Sequence, residues 1–142
     1  MGLQELFESF DKRKRKSHFK NLLAVATSDG KLDNIEFDYI MLLAAKCYMS
    51  QDEVKRVIDN PGQITFLAPK TNSERFDQMY DLVTVMLIDG KIDERERSLC
   101  KVFAMKLGFR TAIVDKLILD IIDSATIGMA KDLALLEILG DE

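Results

Sequence analysis

A near-repeat within the chain constrains its fold more than any other feature of the sequence. The stretch "SDGKLDNIEFDYI" (residues 28–40) returns 60 positions later as "IDGKIDERERSLC" (residues 88–100). Outside this motif, the same offset aligns further identical residues across 21–58 and 81–118. These pairs are Leu22/Leu82, Val25/Val85, Ala44/Ala104, Lys46/Lys106, Val54/Val114 and Ile58/Ile118. A match of this length indicates that one structural unit occurs twice in the chain.

The spacing of apolar residues in each copy is that of an α-helix. Apolar positions after the first motif recur at intervals of three and four residues, as on one face of a helix with 3.6 residues per turn. The second copy has the same phase. The two sets are Ile40, Leu43, Ala44, Cys47 and Cys100, Phe103, Ala104, Leu107.

We therefore predict a single all-α domain over residues 1–142, with about seven to eight helices and an internal pseudo-two-fold repeat. Repeat 1 spans about 17–59, a connector 60–73, repeat 2 about 74–123, and a C-terminal helix about 127–139. Within the repeats, helices are expected over about 17–28, 34–49 and from 51, then over 74–88, 94–107 and from 111. An opening helix precedes them, with Leu3, Leu6, Phe7 and Phe10 on one side.

The repeated motif resembles the second half of an EF-hand calcium loop. If Gly30 is position 6 of such a loop, Glu36 is position 12, where an EF-hand has its bidentate glutamate. Position 1 is then Val25, and the second copy has Val85 there. Since position 1 must supply a side-chain oxygen, an ordinary EF-hand is excluded in both copies.

A structural role accounts for most of the motif. Gly30 ends one helix in a left-handed conformation, which glycine adopts without strain. Asp33 caps the next helix, and Glu36 completes a capping box. The same roles are predicted for Gly90, Asp93 and Glu96.

Asp29 and Asp89 are not explained by this structural role. Each follows the carboxyl end of a helix, where the helix dipole disfavours a negative charge. Turn hydrogen bonds, nearby Lys31 and Lys91, or a bound cation could each compensate the carboxylate. Clustered carboxylates suit Ca²⁺ or Mg²⁺ better than softer ions. The candidate metal ligands are Asp29, Asp33, Glu36, Asp89, Asp93 and Glu96.

The paired joints resemble the TerB-like family of tellurite-resistance proteins. The resemblance covers roughly Ser17 to Leu139 and implies an internally duplicated, all-helical domain without enzymatic activity. It further implies an association with chemical stress and an acidic surface associated with metal ions. The residues that carry it are Asp29, Gly30, Leu32, Glu36, Asp89, Gly90, Ile92 and Glu96.

Other functional classes find less support in the sequence. A net charge of −4 argues against nucleic acid, and the basic run Lys12–Lys16 is predicted to be a solvated helix face. His18, the sole histidine, has no evident nucleophile, so we predict no enzyme. Cys47 and Cys100 are expected to be reduced core residues.

The predicted location and partners follow from what the chain lacks. The first residues have no apolar signal region, which predicts a cytoplasmic protein. An unknown protein partner or a homodimer stays open, while the sequence argues against nucleic acid and a membrane surface. In the competing hypothesis, the chain is a protein-interaction or scaffold module whose joints are purely structural.

Overall fold

Most helices of the chain are separated by short turns, and one longer connector spans residues 60–71. The computed structural model describes residues 9–28, 30, 33–88, 90 and 92–140. Over these ranges the chain forms seven α-helices, one turn of 3₁₀ helix at Pro61–Gln63, and no strand. The helices are α1 Phe10–Ala26, α2 Asn34–Lys46, α3 Gln51–Asp59, α4 Asn72–Leu87, α5 Glu94–Leu107, α6 Thr111–Thr126 and α7 Lys131–Leu139.

Side-chain caps explain where several helices begin. Ser50 Oγ accepts from the Glu53 amide (3.1 Å), and Glu53 Oε1 accepts from the Ser50 amide (3.5 Å), which forms the predicted capping box. Thr71 caps α4 through the Glu74 amide (3.2 Å). Ser9 caps α1 through the amide of Lys12 (3.2 Å). Each cap satisfies a helical N–H that has no partner within its helix.

The centre of the fold is the pair α1 and α4. α4 packs against α1, α2, α5, α6 and α7, and nine of its 16 residues are buried. Lys14 contacts Glu74, and His18, one turn further along α1, contacts Asp81. Because the contacts follow the same order along both helices, α1 and α4 run in the same direction. Their carboxyl ends lead into the two Asp-Gly joints.

The all-α prediction is confirmed for the described residues, and several boundaries agree. α5 covers 94–107 as predicted, and α3 begins at Gln51. The predicted start of the first helix near Ser17 is wrong, because Ser9 caps a continuous helix from Phe10. α2 ends at Lys46 rather than Met49, and α7 begins at Lys131 rather than near Ile127.

Two further expectations can be compared with the fold. No helix within the described ranges combines the length and the apolar character that a membrane span needs. The predicted opening helix falls mostly on residues 1–8, which lie outside the described ranges.

Candidate functional site

Each Asp-Gly joint turns the chain through a glycine with positive φ. Gly30 has φ +85° and Gly90 has φ +79°, where a side chain would be strained. The amide of Gly30 donates to the carbonyl of Thr27 (2.9 Å), and that of Gly90 to the carbonyl of Leu87 (3.0 Å). The predicted left-handed conformation of both glycines is confirmed, but neither ends its helix, because α1 ends at Ala26 with Thr27 as its cap and α4 ends at Leu87 with Ile88 as its cap.

Both cap aspartates lie at their predicted helix starts, but their hydrogen bonds differ. Asp33 Oδ1 accepts from the amide of Glu36 (2.8 Å). Asp93 Oδ1 accepts from the amide of Arg95 (2.8 Å), and both of its oxygens approach the Arg95 guanidinium (3.4 Å). The hydrogen bond from the Arg95 side chain lowers the pKa of Asp93. Asp93 is therefore already engaged by a cation of its own helix.

The two glutamates of the motif are buried. Glu36 is 2% exposed and Glu96 is 3% exposed, each in the first turn of its helix. Burial raises the pKa of the Cys100 thiol to about 12, and the charge of Glu96 adds to the rise. Glu96 therefore lies close to the core beneath the second joint. A carboxylate is rarely this buried.

The remaining candidate ligands lie outside the described residues. These are Asp29 and Asp89. Lys31 and Lys91, which are expected to be able to neutralise these two carboxylates without a metal, lie outside the described residues as well. In the part of the chain that the structure describes, no three His, Cys, Asp or Glu side chains are grouped so that they could hold a metal ion. The structure thus places Asp33 and Glu36 in one joint and Asp93 and Glu96 in the other, as two separate pairs of carboxylates.

A groove of about 590 Å³ lies beside the second joint. Gly90 and Ile92 of the joint form part of its wall, and Tyr39 of α2 and Thr84 of α4 form another part. The Tyr39 hydroxyl donates to Thr84 Oγ1 (3.0 Å), which joins α2 to α4. The helix that follows the first joint therefore reaches the groove of the second.

A polar centre that the sequence did not reveal lies between α1, α4 and α7. Asp81 is buried on α4, and its Oδ2 lies 2.9 Å from His18 Nε2. Its other oxygen, Oδ1, lies 2.6 Å from Lys131 Nζ at the start of α7. The Tyr80 hydroxyl donates to the carbonyl of Met129 (3.0 Å) and holds the turn before α7. One buried carboxylate thus links three helices.

The ionised form of Asp81 is stabilised by its partners. Burial alone would raise the pKa of Asp81, but the hydrogen bond with His18 and the charges of His18 and Lys131 outweigh it, so the pKa is lowered. Since an ionised carboxylate only accepts hydrogen bonds, His18 Nε2 carries the hydrogen of this contact. His18 is therefore held by a buried carboxylate of another helix.

The basic run Lys12–Lys16 is not the solvated face that its composition predicted. Lys14 pairs with Glu74 at 2.5 Å, and Arg15 approaches Glu53 at 3.8 Å. Lys16 is buried. α1 packs against both α3 and α4. The basic side chains at this end of α1 therefore face acidic side chains of those two helices. The run is therefore partly engaged inside the protein.

The two cysteines occupy different environments. Cys100 is fully buried, as predicted, and its thiol donates to the carbonyl of Leu82 (3.8 Å). Cys47 is half-buried at the carboxyl end of α2, so its assignment to the core is wrong. Partial burial and the charge of Asp81 raise the pKa of Cys47, which keeps it a neutral thiol near pH 7. A neutral thiol is a poor nucleophile.

One signal in the sequence points to the polar centre. Asp81 interrupts a long apolar stretch of α4, with buried Tyr80 before it and buried Leu82 and Val83 after it. A charged residue in such a place requires a buried partner. The sequence could not identify His18 and Lys131 as those partners, because they lie on other helices far along the chain.

Comparison of the chain with protein-family models, with curated proteins and with solved structures finds no match. The resemblance to the TerB-like family therefore stays a prediction, and the residues of the two joints are what carry it.

Proposed function

We propose that this chain is a non-enzymatic, TerB-like, stress-associated domain that binds a divalent cation, Ca²⁺ or Mg²⁺, at its Asp-Gly joints. The ligands would come from Asp29, Asp33 and Glu36 in the first joint and from Asp89, Asp93 and Glu96 in the second. Carboxylate oxygens are the ligands that these two hard cations prefer.

The observation that carries the proposal is the matched position of two buried glutamates. Glu36 and Glu96 each lie six residues after a glycine of positive φ and three residues after a cap aspartate. Capping alone requires no such burial, since Glu53 completes a capping box at the start of α3 while it is less buried. A buried carboxylate beside a conformationally fixed turn suits a cation better than a purely structural joint.

The proposal also assigns a pseudo-two-fold relation to the two halves. Its support is that residues offset by 60 share their environment: Ile40 and Cys100 are both buried, as are Val54 and Val114. The correspondence is incomplete, because Ile58 is 45% exposed whereas its counterpart Ile118 is fully buried. α3 is also much shorter than α6, its counterpart.

Thermal unfolding of chelator-treated protein tests the proposal. We expect millimolar Ca²⁺ or Mg²⁺ to raise the melting temperature, because a ligand that binds only the folded state stabilises it. Asp29→Asn combined with Asp89→Asn should abolish the rise. A matched control, Asp38→Asn with Asp123→Asn, removes two exposed carboxylates outside the joints and should keep it. An equal rise in both double variants would contradict the proposal.

The stress association depends on the resemblance alone. Growth on tellurite of bacteria that express the chain tests it, with the Asp29→Asn, Asp89→Asn chain as the comparison. Protection by the unmodified chain only would support a role that requires the joints. Equal growth of cells with and without the chain would contradict the association.

A second candidate function, a protein-interaction or scaffold module, is favoured by the exposed apolar residues around α7. Ile127, Leu133 and Leu136 are 72%, 56% and 67% exposed. Sedimentation at increasing concentration tests it: self-association that Leu133→Ser with Leu136→Ser removes would support a homodimer. A chain that is monomeric at every concentration would exclude the homodimer.

A further inference from the structure

The groove beside the second joint has the size of a site for a small molecule. Its volume is about 590 Å³, and pockets that bind small ligands typically measure about 300 to 1,000 Å³. Its wall is built from four parts of the chain: α2, the end of α4, the second joint and the last turns of α6. The groove therefore lies where separate elements converge, as ligand sites commonly do.

The described wall of this groove is apolar and carries no charged side chain. Leu87, Ile88 and Ile122 are only partly buried, and Ile92 is 45% exposed. A ligand that filled the groove would remove this apolar surface from water, which is favourable. An ion would give up hydration without meeting an opposite charge on this wall. The lining thus favours a neutral, largely apolar ligand.

The hydroxyl groups of the wall have already used their hydrogens. The Tyr39 hydroxyl donates to Thr84 Oγ1 (3.0 Å), and Thr84 Oγ1 donates to the carbonyl of Asp81 (2.9 Å). The Thr126 hydroxyl donates to the carbonyl of Ile122 (2.7 Å). A hydroxyl has a single hydrogen, but its oxygen can also accept. These groups therefore offer acceptor oxygens only, and the ligand has to supply the hydrogen.

Tyr39 provides the better shielded of these oxygens. Thr126 is exposed, whereas Tyr39 is partly buried where α2 meets α4. A hydrogen bond is stronger where water is partly excluded. The amides of Ile88 and Gly90 donate to carbonyls at the end of α4 (3.4 and 3.0 Å), so they do not compete for an acceptor on the ligand.

We propose that this groove binds a small, neutral, largely apolar molecule with one N–H or O–H group, and that this group donates to the Tyr39 oxygen. The apolar body of the ligand lies against Leu87, Ile92 and Ile122. This site is separate from the proposed cation site, because none of these residues is a candidate metal ligand.

Calorimetric titration of the chain with indole at pH 7 tests the proposal. Indole is neutral and apolar and has a single N–H donor, and 1-methylindole has nearly the same shape without the donor. We expect indole to bind saturably, with one molecule per chain, and about fivefold more tightly than 1-methylindole, because it makes one more hydrogen bond. Equal affinities, or no binding of indole up to its solubility, would overturn the proposal.

Tyr39→Phe removes the acceptor oxygen and leaves the shape of the wall nearly unchanged. We expect this variant to bind indole only as weakly as it binds 1-methylindole. Tyr48→Phe is the matched control: Tyr48 is 89% exposed and does not line the groove, so the preference for indole should persist. A preference that survived in Tyr39→Phe would contradict the role of the Tyr39 oxygen.

Ala125→Phe places a ring in the groove from the side of α6, and we expect it to abolish the binding of both indoles. Undiminished binding would place the ligand elsewhere and overturn the proposal. Self-association of a chain that binds no indole, if Ala125→Phe prevents it, would assign the groove to a second copy instead. All three variants keep the candidate metal ligands, so failure here does not bear on the proposed divalent cation.

Discussion

The carboxyl ends of α1 and α4 lead into joints of nearly the same sequence, whereas the facing sides of the same two helices carry different residues. At the offset of 60, Gly30 corresponds to Gly90 and Asp33 to Asp93. Along the facing sides, by contrast, Lys14 corresponds to Glu74, His18 to Gln78, and Asn21 to Asp81.

The difference reflects what each region has to do. A joint is a local structure: each copy needs its own left-handed glycine and its own cap, so both copies keep the same residues. The interface between α1 and α4 joins one copy to the other. If α1 and α4 carried identical charged residues on their facing sides, these residues would repel each other. Because α1 is basic where α4 is acidic, pairs such as Lys14–Glu74 can form.

The largest expected effect comes from removing the centre of the interface. Asp81→Ala deprives His18 and Lys131 of their shared carboxylate, and breaking a buried ion pair costs about 3 kcal/mol of unfolding free energy. Urea denaturation measures the loss. Asp77→Asn, on the exposed side of the same helix, is the control and should stay within about 0.5 kcal/mol of the unmodified chain. Equal stability of the two variants would show that Asp81 does not hold the halves together.

Acid should weaken the interface by protonating Asp81. The pKa of Asp81 lies below the ordinary value of 3.8, so its contribution is present above that value and is lost as the pH falls through the lower, folded pKa. Urea midpoints at pH 5, 4 and 3 should therefore fall more in the unmodified chain than in Asp81→Asn. Equal falls would mean that another carboxylate governs the acid sensitivity.

The caps of the joints should each contribute less than the interface. Asp33→Ala and Asp93→Ala each remove one capping carboxylate, which typically costs about 1 kcal/mol. Thermal or urea unfolding of both variants measures the loss. If either exceeded the loss in Asp81→Ala, the ranking of interface over joint would be reversed.

An effect no larger than that of the caps is expected at a position where the copies use different residues for the same turn. Tyr48, at the end of α2, has φ +60° and is 89% exposed, and its counterpart Gly108 has φ +106°. The amides of Met49 and Phe109 donate to Ala44 and Ala104 in the same way (3.1 and 3.0 Å). Since left-handed geometry disfavours a side chain, Tyr48→Gly should gain roughly 0.5 kcal/mol and Gly108→Ala should lose about 1 kcal/mol.

Urea denaturation of these two variants gives the sign of each change. The unmodified chain is the reference for both, and Gly62→Ala serves as a control, since Gly62 lies in the 3₁₀ turn with no atom close to its added carbon. A loss of stability in Tyr48→Gly would contradict the strain assigned to this turn.

What the sequence predicted well is local. The glycine turns, the Ser50 capping box and the range of α5 all depend on residues within a few positions of each other, and all agree with the structure. The start of α1 was missed because Ser9 is a cap that is followed by a charged, not an apolar, turn.

The polar centre could not be predicted because it depends on how helices pack. His18 and Asp81 are 63 residues apart, and Lys131 lies on a third helix. The period of a helix gives the face on which each residue lies, but it does not give the helix that this face meets. The basic run was misjudged for the same reason, since its partners Glu53 and Glu74 belong to α3 and α4.

The proposed cation is tested most directly by calorimetric titration of the chelator-treated chain with Ca²⁺ and with Mg²⁺. The account predicts saturable binding of at least one of the two ions, and loss of that binding when Asp29→Asn is combined with Asp89→Asn. A chain that takes up neither ion at millimolar concentration, or a double variant that binds as well as the unmodified chain, would contradict it.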